Sequence, residues 1–167
     1  TSVYFTVAVD GIKTFEVDLL NVKYQSYSDF AYPTKVNLVV YTNPYTINID
    51  YTKSGYTFDA SFTMTSDASC TMGLTAQLVL ANDDLDNIDQ DDLIYAKATV
   101  SYGSVQVKGS SNLKALMILG DDLSIAQINQ YIDVKTFIDG TEVGELVLDQ
   151  DSEDNLVINM VYKDGTK

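Results

Sequence analysis

The chain has 167 residues, a formal net charge of −14 at pH 7 and no histidine or tryptophan, and all ten of its basic residues are lysines. Without histidine or arginine, it cannot build a Ser-His-Asp triad, a histidine-ligated zinc site or a bidentate arginine clamp on phosphate. The negative charge also argues against nucleic acid and anionic lipid as partners, because both would be repelled.

The length suits a single domain spanning residues 1–167. A chain of this size can bury roughly 68–70% of the surface that its unfolded form exposes, so a core is available without disulfides. Cys70 is the only cysteine, which excludes an intrachain disulfide. No run of about 18 apolar residues is present, so we predict no membrane-spanning helix.

Alternation of apolar and polar residues with a period of two predicts a series of β-strands. In 56–65, for example, aromatic and aliphatic residues alternate with threonine, serine and aspartate. The predicted strands are 3–9, 13–20, 45–51, 56–65, 71–80, 94–102, 104–108, 132–138, 142–148 and 155–162. Asp10-Gly11 and Asp139-Gly140 predict tight hairpins, so strands adjacent in sequence should pair in antiparallel fashion.

Helix is expected only in the second half of the chain. Residues 110–119 contain good helix formers and are followed by Gly120, although 113–119 would also suit a buried strand. A second helix is predicted over 123–131, with Asp121 or Asp122 as its cap. A third short helix is expected within 83–92.

The predicted fold class is mainly β, bordering on α+β. About ten strands with one apolar face each must hide that face, and two or three short helices are too small to cover it. We therefore predict an antiparallel meander that forms a sandwich or a partly closed barrel.

Two acidic segments, 82–92 and 149–155, are candidate calcium sites because dense carboxylates suit a hard cation. Neither segment has the spacing of an EF-hand loop, and a solvated connection is the interpretation that we favour for both. The candidate metal ligands are Asp83, Asp84, Asp86, Asp149, Asp151 and Glu153.

An aromatic segment at 24–33 is the candidate ligand-binding surface. Its candidate residues are Tyr24, Tyr27, Asp29, Phe30 and Tyr32. Aromatic rings beside small polar groups can stack on a sugar or on a partner chain. The alternative interpretation is an aromatic-rich loop that packs over the edge of the sheet.

No constellation of residues predicts catalysis. Cys70 lies among anionic and neutral residues, which raise the pKa of a thiol and make it inert. Neither an aspartic protease motif nor a glycine-rich phosphate loop is present. We therefore predict no enzymatic activity, no catalytic residue and no cofactor other than calcium.

The C-terminal third resembles the hairpins of small exported lipoproteins of gut Bacteroidetes. The resemblance is carried by four phrases, Ile132-Asp133-Val134-Lys135, Ile138-Asp139-Gly140, Val143-Gly144-Glu145-Leu146 and Val161-Tyr162-Lys163-Asp164-Gly165. It implies export to the periplasm or cell surface. It also implies attachment to a membrane only through a lipid on a cysteine that has been removed from this chain.

The first functional hypothesis is a non-enzymatic exported domain, tethered to a membrane or cell surface, that binds an unknown partner, which could be a protein, a glycan or a small apolar ligand. An alternative is a carrier of a small apolar ligand inside a partly closed barrel. The residues expected to line that interior are Tyr56, Phe58, Phe62, Met64, Met72 and Leu74. Further alternatives are a carbohydrate-binding module that takes a glycan and a calcium-stabilised domain.

Overall fold

The computed structural model describes residues 2–26, 30–66, 71–120 and 123–166. Within these ranges, eleven strands form one antiparallel sheet in which every strand pairs with its neighbours in sequence. The sheet does not close into a barrel, so the first and last strands are its two edges. The mainly β prediction is confirmed.

The eleven strands are β1 (Val3–Val9), β2 (Ile12–Ser26), β3 (Ala31–Thr42), β4 (Tyr45–Ser54), β5 (Thr57–Ser66), β6 (Thr71–Leu80), β7 (Leu93–Tyr102), β8 (Val105–Ser111), β9 (Ile132–Ile138), β10 (Thr141–Gln150) and β11 (Leu156–Tyr162). Two helices, α1 (Leu113–Ile118) and α2 (Ile125–Tyr131), connect β8 to β9. A single 3₁₀ turn, Gln90–Asp92, precedes β7.

Both predicted Asp-Gly hairpins have the backbone geometry of a type I′ turn. Asp10 and Gly11 have φ angles of 53° and 77°, and Asp139 and Gly140 have φ angles of 48° and 76°. This turn matches the right-handed twist of the strands that it joins, and it needs positive φ at both central residues. The turns therefore set the pairing of β1 with β2 and of β9 with β10.

The helices begin at polar caps. The Asn112 side chain accepts a hydrogen bond from the Ala115 N–H at 3.1 Å, so 113–118 is a helix and not a strand. Ser124 and Gln127 form a capping box at the start of α2. The predicted caps Asp121 and Asp122 lie outside the described residues.

The helix predicted within 83–92 is wrong for most of its length. Asp and Asn side chains bond nearby backbone groups in turns and so compete with helical hydrogen bonds. Here the Asn82 side chain accepts from the Asp84 N–H at 2.8 Å and so forms a turn, whereas Asp89 accepts from the Asp91 N–H at 2.8 Å and caps the 3₁₀ turn. Only the 3₁₀ turn remains of the predicted helix.

The pairing register divides the sheet into two faces of opposite character. One cross-strand row contains only apolar or aromatic side chains from β1 to β9: Phe5, Val17, Val40, Ile47, Met64, Met72, Tyr102, Val105 and Ile138. The next row on the same side is Val3, Leu19, Leu38, Ile49, Phe62, Leu74, Val100 and Val107. We call this side the apolar face.

The opposite side carries polar and charged side chains, and we call it the polar face. One of its rows, from β3 to β9, is Asn37, Asp50, Ser61, Thr75, Thr99, Lys108 and Lys135. Successive residues of a strand point to opposite sides, so the alternation in the sequence becomes a difference between whole faces.

The predicted sandwich is not present, because the strands form one sheet instead of two packed sheets. Leu80, at 3% exposure, is the only hydrophobic residue among those described that is fully buried. The prediction assumed that the chain hides its own apolar face. The structure instead leaves that face uncovered, so it is available to bind a partner.

Candidate functional site

The predicted aromatic and acidic segments all lie at one end of the sheet, which we call the loop end. In an antiparallel meander, every second connection lies at the same end of the sheet. The connections at the loop end include 26–31, 80–93, 111–132 and 150–156. Four strands nevertheless separate the aromatic segment from the first acidic segment, and four more separate the two acidic segments. At about 4.8 Å per strand, this is about 19 Å along the sheet.

The first acidic segment is anchored by an ion pair between Asp83 and Lys53. Lys53 is 6% exposed, and its Nζ atom also donates to the Gly55 carbonyl at 3.0 Å. Asp84 accepts a hydrogen bond from the Asn87 side chain at 2.9 Å, and Asp84 and Asp86 are both exposed. Asp83 therefore balances the charge of a buried lysine.

The second acidic segment closes the hairpin between β10 and β11. Asp151 accepts hydrogen bonds from the Glu153 and Asn155 N–H groups, at 2.8 and 3.0 Å, and from the Asn155 side chain. These hydrogen bonds hold the pKa of Asp151 below its usual value, and the bond from the Asn155 side chain has the largest effect. Asp149 accepts from the Asn159 side chain at 2.8 Å. The loop is thus organised by its own hydrogen bonds.

Across the ranges that the structure describes, no three carboxylates or thiols come together in a group able to hold a metal ion. Asp83 contacts a lysine, and Asp149 and Asp151 contact asparagine side chains. Calcium binding by the six predicted ligands stays a prediction, and the structure adds no geometric support for it.

The aromatic segment is divided between strand and loop. The ring of Tyr32 lies 6.5 Å from that of Phe30, and 6.3 Å from each of the rings of Tyr51 and Phe58, all edge to face. Tyr24 is 63% exposed. Tyr32 therefore packs at the end of the apolar face as a residue of β3, and ligand binding by this segment stays a prediction. Tyr27 and Asp29, like Cys70, lie outside the described residues.

The apolar face forms an extended part of the described surface, and it is open to solvent. Large side chains of its two long rows remain open to solvent: Leu74 is 43% exposed, Val100 52% and Tyr102 65%. Its two long apolar rows contain no charged residue. Lys53, at the end of β4, is the charged residue that borders it.

A groove of about 510 Å³ crosses this face. Small residues in register on β5 to β8 form its floor: Ala60, Ala76, Ala98 and Gly109. Tyr51, Phe58 and Leu78 stand along it, together with Ile132 and Val134. The Ser111 hydroxyl, in its wall, is buried and has no hydrogen-bond partner in the described part of the chain.

Five of the six residues predicted to line a barrel interior share the apolar face: Phe58, Phe62, Met64, Met72 and Leu74. Tyr56 lies in the turn between β4 and β5 and is exposed. The lining was therefore largely predicted from the alternation. The enclosure was not, because β1 and β11 do not pair and the lining faces solvent.

Comparisons with protein-family models, with curated proteins and with solved structures found no match to this chain. Neither helix of the described residues is long and apolar enough to cross a membrane.

Proposed function

We propose that this chain is a non-enzymatic binding domain whose docking surface is the apolar face of its sheet. The observation that carries the proposal is the uncovered state of that face, where side chains such as Val100 and Tyr102 are more than half exposed. Monomeric proteins rarely expose a contiguous apolar patch larger than a few hundred Å², and larger patches mark docking sites.

Burying this face against a partner would be favourable by about 25 cal/mol for each Å² of apolar surface removed from water. The polar face has less of this driving force, because most of the side chains in its rows are polar or charged. The contrast between the two faces supports the apolar face as the binding side of the domain.

Export and a lipid tether form a separate part of the proposal. They rest on the resemblance of the C-terminal phrases to exported lipoproteins. Labelling of the native protein with a radioactive fatty acid in its own cells would test them. Label on the protein is expected, and a full-length protein without label would contradict the tether.

Fluorescence titration with Nile red, a neutral apolar dye, tests the docking surface. In solutions dilute enough to keep the chain monomeric, we expect dye binding by the native protein and at least a tenfold weaker response from Leu74→Asp. The matched control is Thr75→Asp, because the two exposed neighbours on β6 point to opposite faces. The control should bind dye as the native protein does. Absence of dye binding by a folded and monomeric native protein would contradict the proposal.

A carrier of a small apolar ligand is the second candidate, and the groove floored by alanine and glycine favours it. Its volume of about 510 Å³ lies within the range of small-molecule sites. Titration with a fluorescent fatty acid tests this function. Ala76→Leu should fill the groove and abolish binding, whereas Thr75→Leu on the polar face should not. Equal binding by both variants would exclude the groove as the site.

A further inference from the structure

We propose that the partner covering the apolar face is a second copy of this chain, packed face to face to give a two-layered homodimer. This inference rests on the proposed function, because it names the partner for the same docking surface. Four observations support it: the amount of excess surface, the placement of charge, the relief of the face and the extent of the apolar rows.

The chain exposes far more surface than a compact monomer of its mass. A folded monomer of 18.4 kDa is expected to expose about 8,200 Å². This chain exposes 10642 Å², which is about 2,400 Å² more. Obligate homodimers bury about 2,000–5,000 Å² in total over the two chains. Covering even half of the excess on each copy would therefore reach the area of a stable dimer.

Charge favours the apolar face as the meeting surface for two identical chains. Each chain carries a net charge of −14, so most approaches of two copies are repulsive. The two long rows of the apolar face contain no charged side chain, whereas Asp50, Asp59 and Asp133 lie on the polar face. Face-to-face packing therefore keeps the carboxylates of both sheets on the outside.

The relief of the apolar face, a groove beside a ridge, can fit the same face of a second copy. A two-fold interface places the same patch on both sides, so the patch must be self-complementary. The groove floored by Ala76 and Ala98 runs beside a ridge that includes Phe62, Leu74 and Val100. The ridge of one copy can lie in the groove of the other. Sheets packed in this way lie about 10 Å apart.

A small ligand would leave most of this surface uncovered. The groove follows the row of small residues and the side chains beside it, from Tyr51 to Val134, whereas exposed side chains of the apolar face extend from Phe5 on β1 to Ile138 on β9. A second sheet matches the whole extent of the rows. Extent is thus the observation that separates a second copy from a small apolar ligand.

Analytical ultracentrifugation of the full chain tests the proposal. We expect a species with twice the 18.4 kDa mass of one chain. Leu74→Asp and Val100→Asp should each weaken the dimer by at least about 100-fold, because each introduces a charge at the centre of the interface. Thr75→Asp, on the polar face, should leave the dimer intact. Circular dichroism shows whether each variant is folded.

Each other outcome overturns the second copy and bears differently on the proposed function. A native monomer that binds Nile red keeps the docking surface and excludes self-association, and co-sedimentation of that monomer with neutral phosphatidylcholine vesicles would identify lipid as the partner. A folded native monomer that binds no dye contradicts both proposals. A dimer that survives both apolar-face variants would be formed elsewhere, for example through the free edges of β1 and β11.

Discussion

Two glycines within strands differ in the space around them, and this difference makes opposite predictions for the same substitution. A Cβ atom added at Gly144 would lie 2.5 Å from the Val161 carbonyl oxygen, which belongs to the backbone of β11. At Gly109 the nearest atom would be a side-chain methyl of Val134, at 3.7 Å. Glycine is thus required at the first position by close approach of the backbone and not at the second.

Gly144→Ala should lower the free energy of unfolding by about 1–3 kcal/mol, because β11 must move away from β10. Gly109→Ala is the control and should leave the stability unchanged or raise it by up to about 1 kcal/mol, since alanine loses less conformational freedom on folding. Urea unfolding of the two variants measures the difference. Equal free energies of unfolding for the two variants would show that β11 can move away from β10 without loss of stability.

The Lys53–Asp83 pair gives a second prediction at this scale. Asp83→Asn removes the carboxylate that contacts a lysine whose side chain is only 2% exposed. We expect a loss of about 1–3 kcal/mol, less than for a fully buried pair because Asp83 itself is partly exposed. Thermal unfolding measures the loss, with the exposed Asp91→Asn as the control. A loss of the same size in the control would assign the effect to net charge alone.

Asp151 gives a dependence of stability on pH. Its pKa is lowered in the folded chain, so its contribution is present above the ordinary aspartate pKa of about 3.9 and is lost as the pH falls through the lower folded value. Asp151→Asn should therefore lower the melting temperature near neutral pH and have a smaller effect in acid. The control is Glu153→Gln, in the same loop. A constant difference across the pH range would contradict this origin.

At the scale of elements, β9 and β10 pair along only part of their length. The pairing ends at Lys135 and Glu145, while β10 continues to Gln150. The side chain of Asn129 in α2 bonds both backbone groups of Leu148, donating to the carbonyl at 2.8 Å and accepting from the N–H at 3.0 Å. One amide side chain thus takes the place of a missing strand neighbour.

Asn129→Ala should lower the free energy of unfolding by about 1–3 kcal/mol, because it leaves two backbone groups of β10 without their partner. The neighbouring Gln130→Ala, on the exposed side of the helix, is the control and should be close to neutral. Hydrogen exchange at the Leu148 amide offers a local readout. Unchanged protection of that amide in Asn129→Ala would contradict the role given to this side chain.

At the scale of the whole molecule, net charge opposes the proposed dimer. Each chain carries a net charge of −14, so two chains repel one another. Salt screens this repulsion, because the Debye length shortens from about 30 Å at 0.01 M salt to about 8 Å at 0.15 M. The dissociation constant should therefore fall over this range, on the order of tenfold. Sedimentation equilibrium at several salt concentrations measures it. An affinity that weakens with added salt would indicate an interface held by opposite charges.

Much of the fold could be predicted from local patterns. The β5 and β6 strands were predicted within one residue of their bounds, because one side of each is consistently apolar and period two is a local property. Strand β3 was not predicted. Val39 and Tyr41 place apolar side chains on its polar side, which breaks the alternation that identifies a half-buried strand.

The predicted site residues show where local patterns end. The acidic and aromatic segments stand out by composition, but the structure keeps them strands apart and involves Asp83, Asp151 and Tyr32 in local contacts. The groove has no comparable signal in the sequence. Its floor is made of small residues that belong to separate strands, and only the register between the strands aligns them: Ala60, Ala76, Ala98 and Gly109.

The sequence by itself determined that this protein is an antiparallel β-meander with one apolar side to most of its strands and an acidic, histidine-free composition. These properties depend on residues close together in the chain, where periodicity and turn chemistry act. Only the tertiary structure decided that the apolar sides join into one uncovered face and that small residues align into a groove. Both depend on the register between strands and on whether the sheet edges meet, and neither is encoded in any single segment.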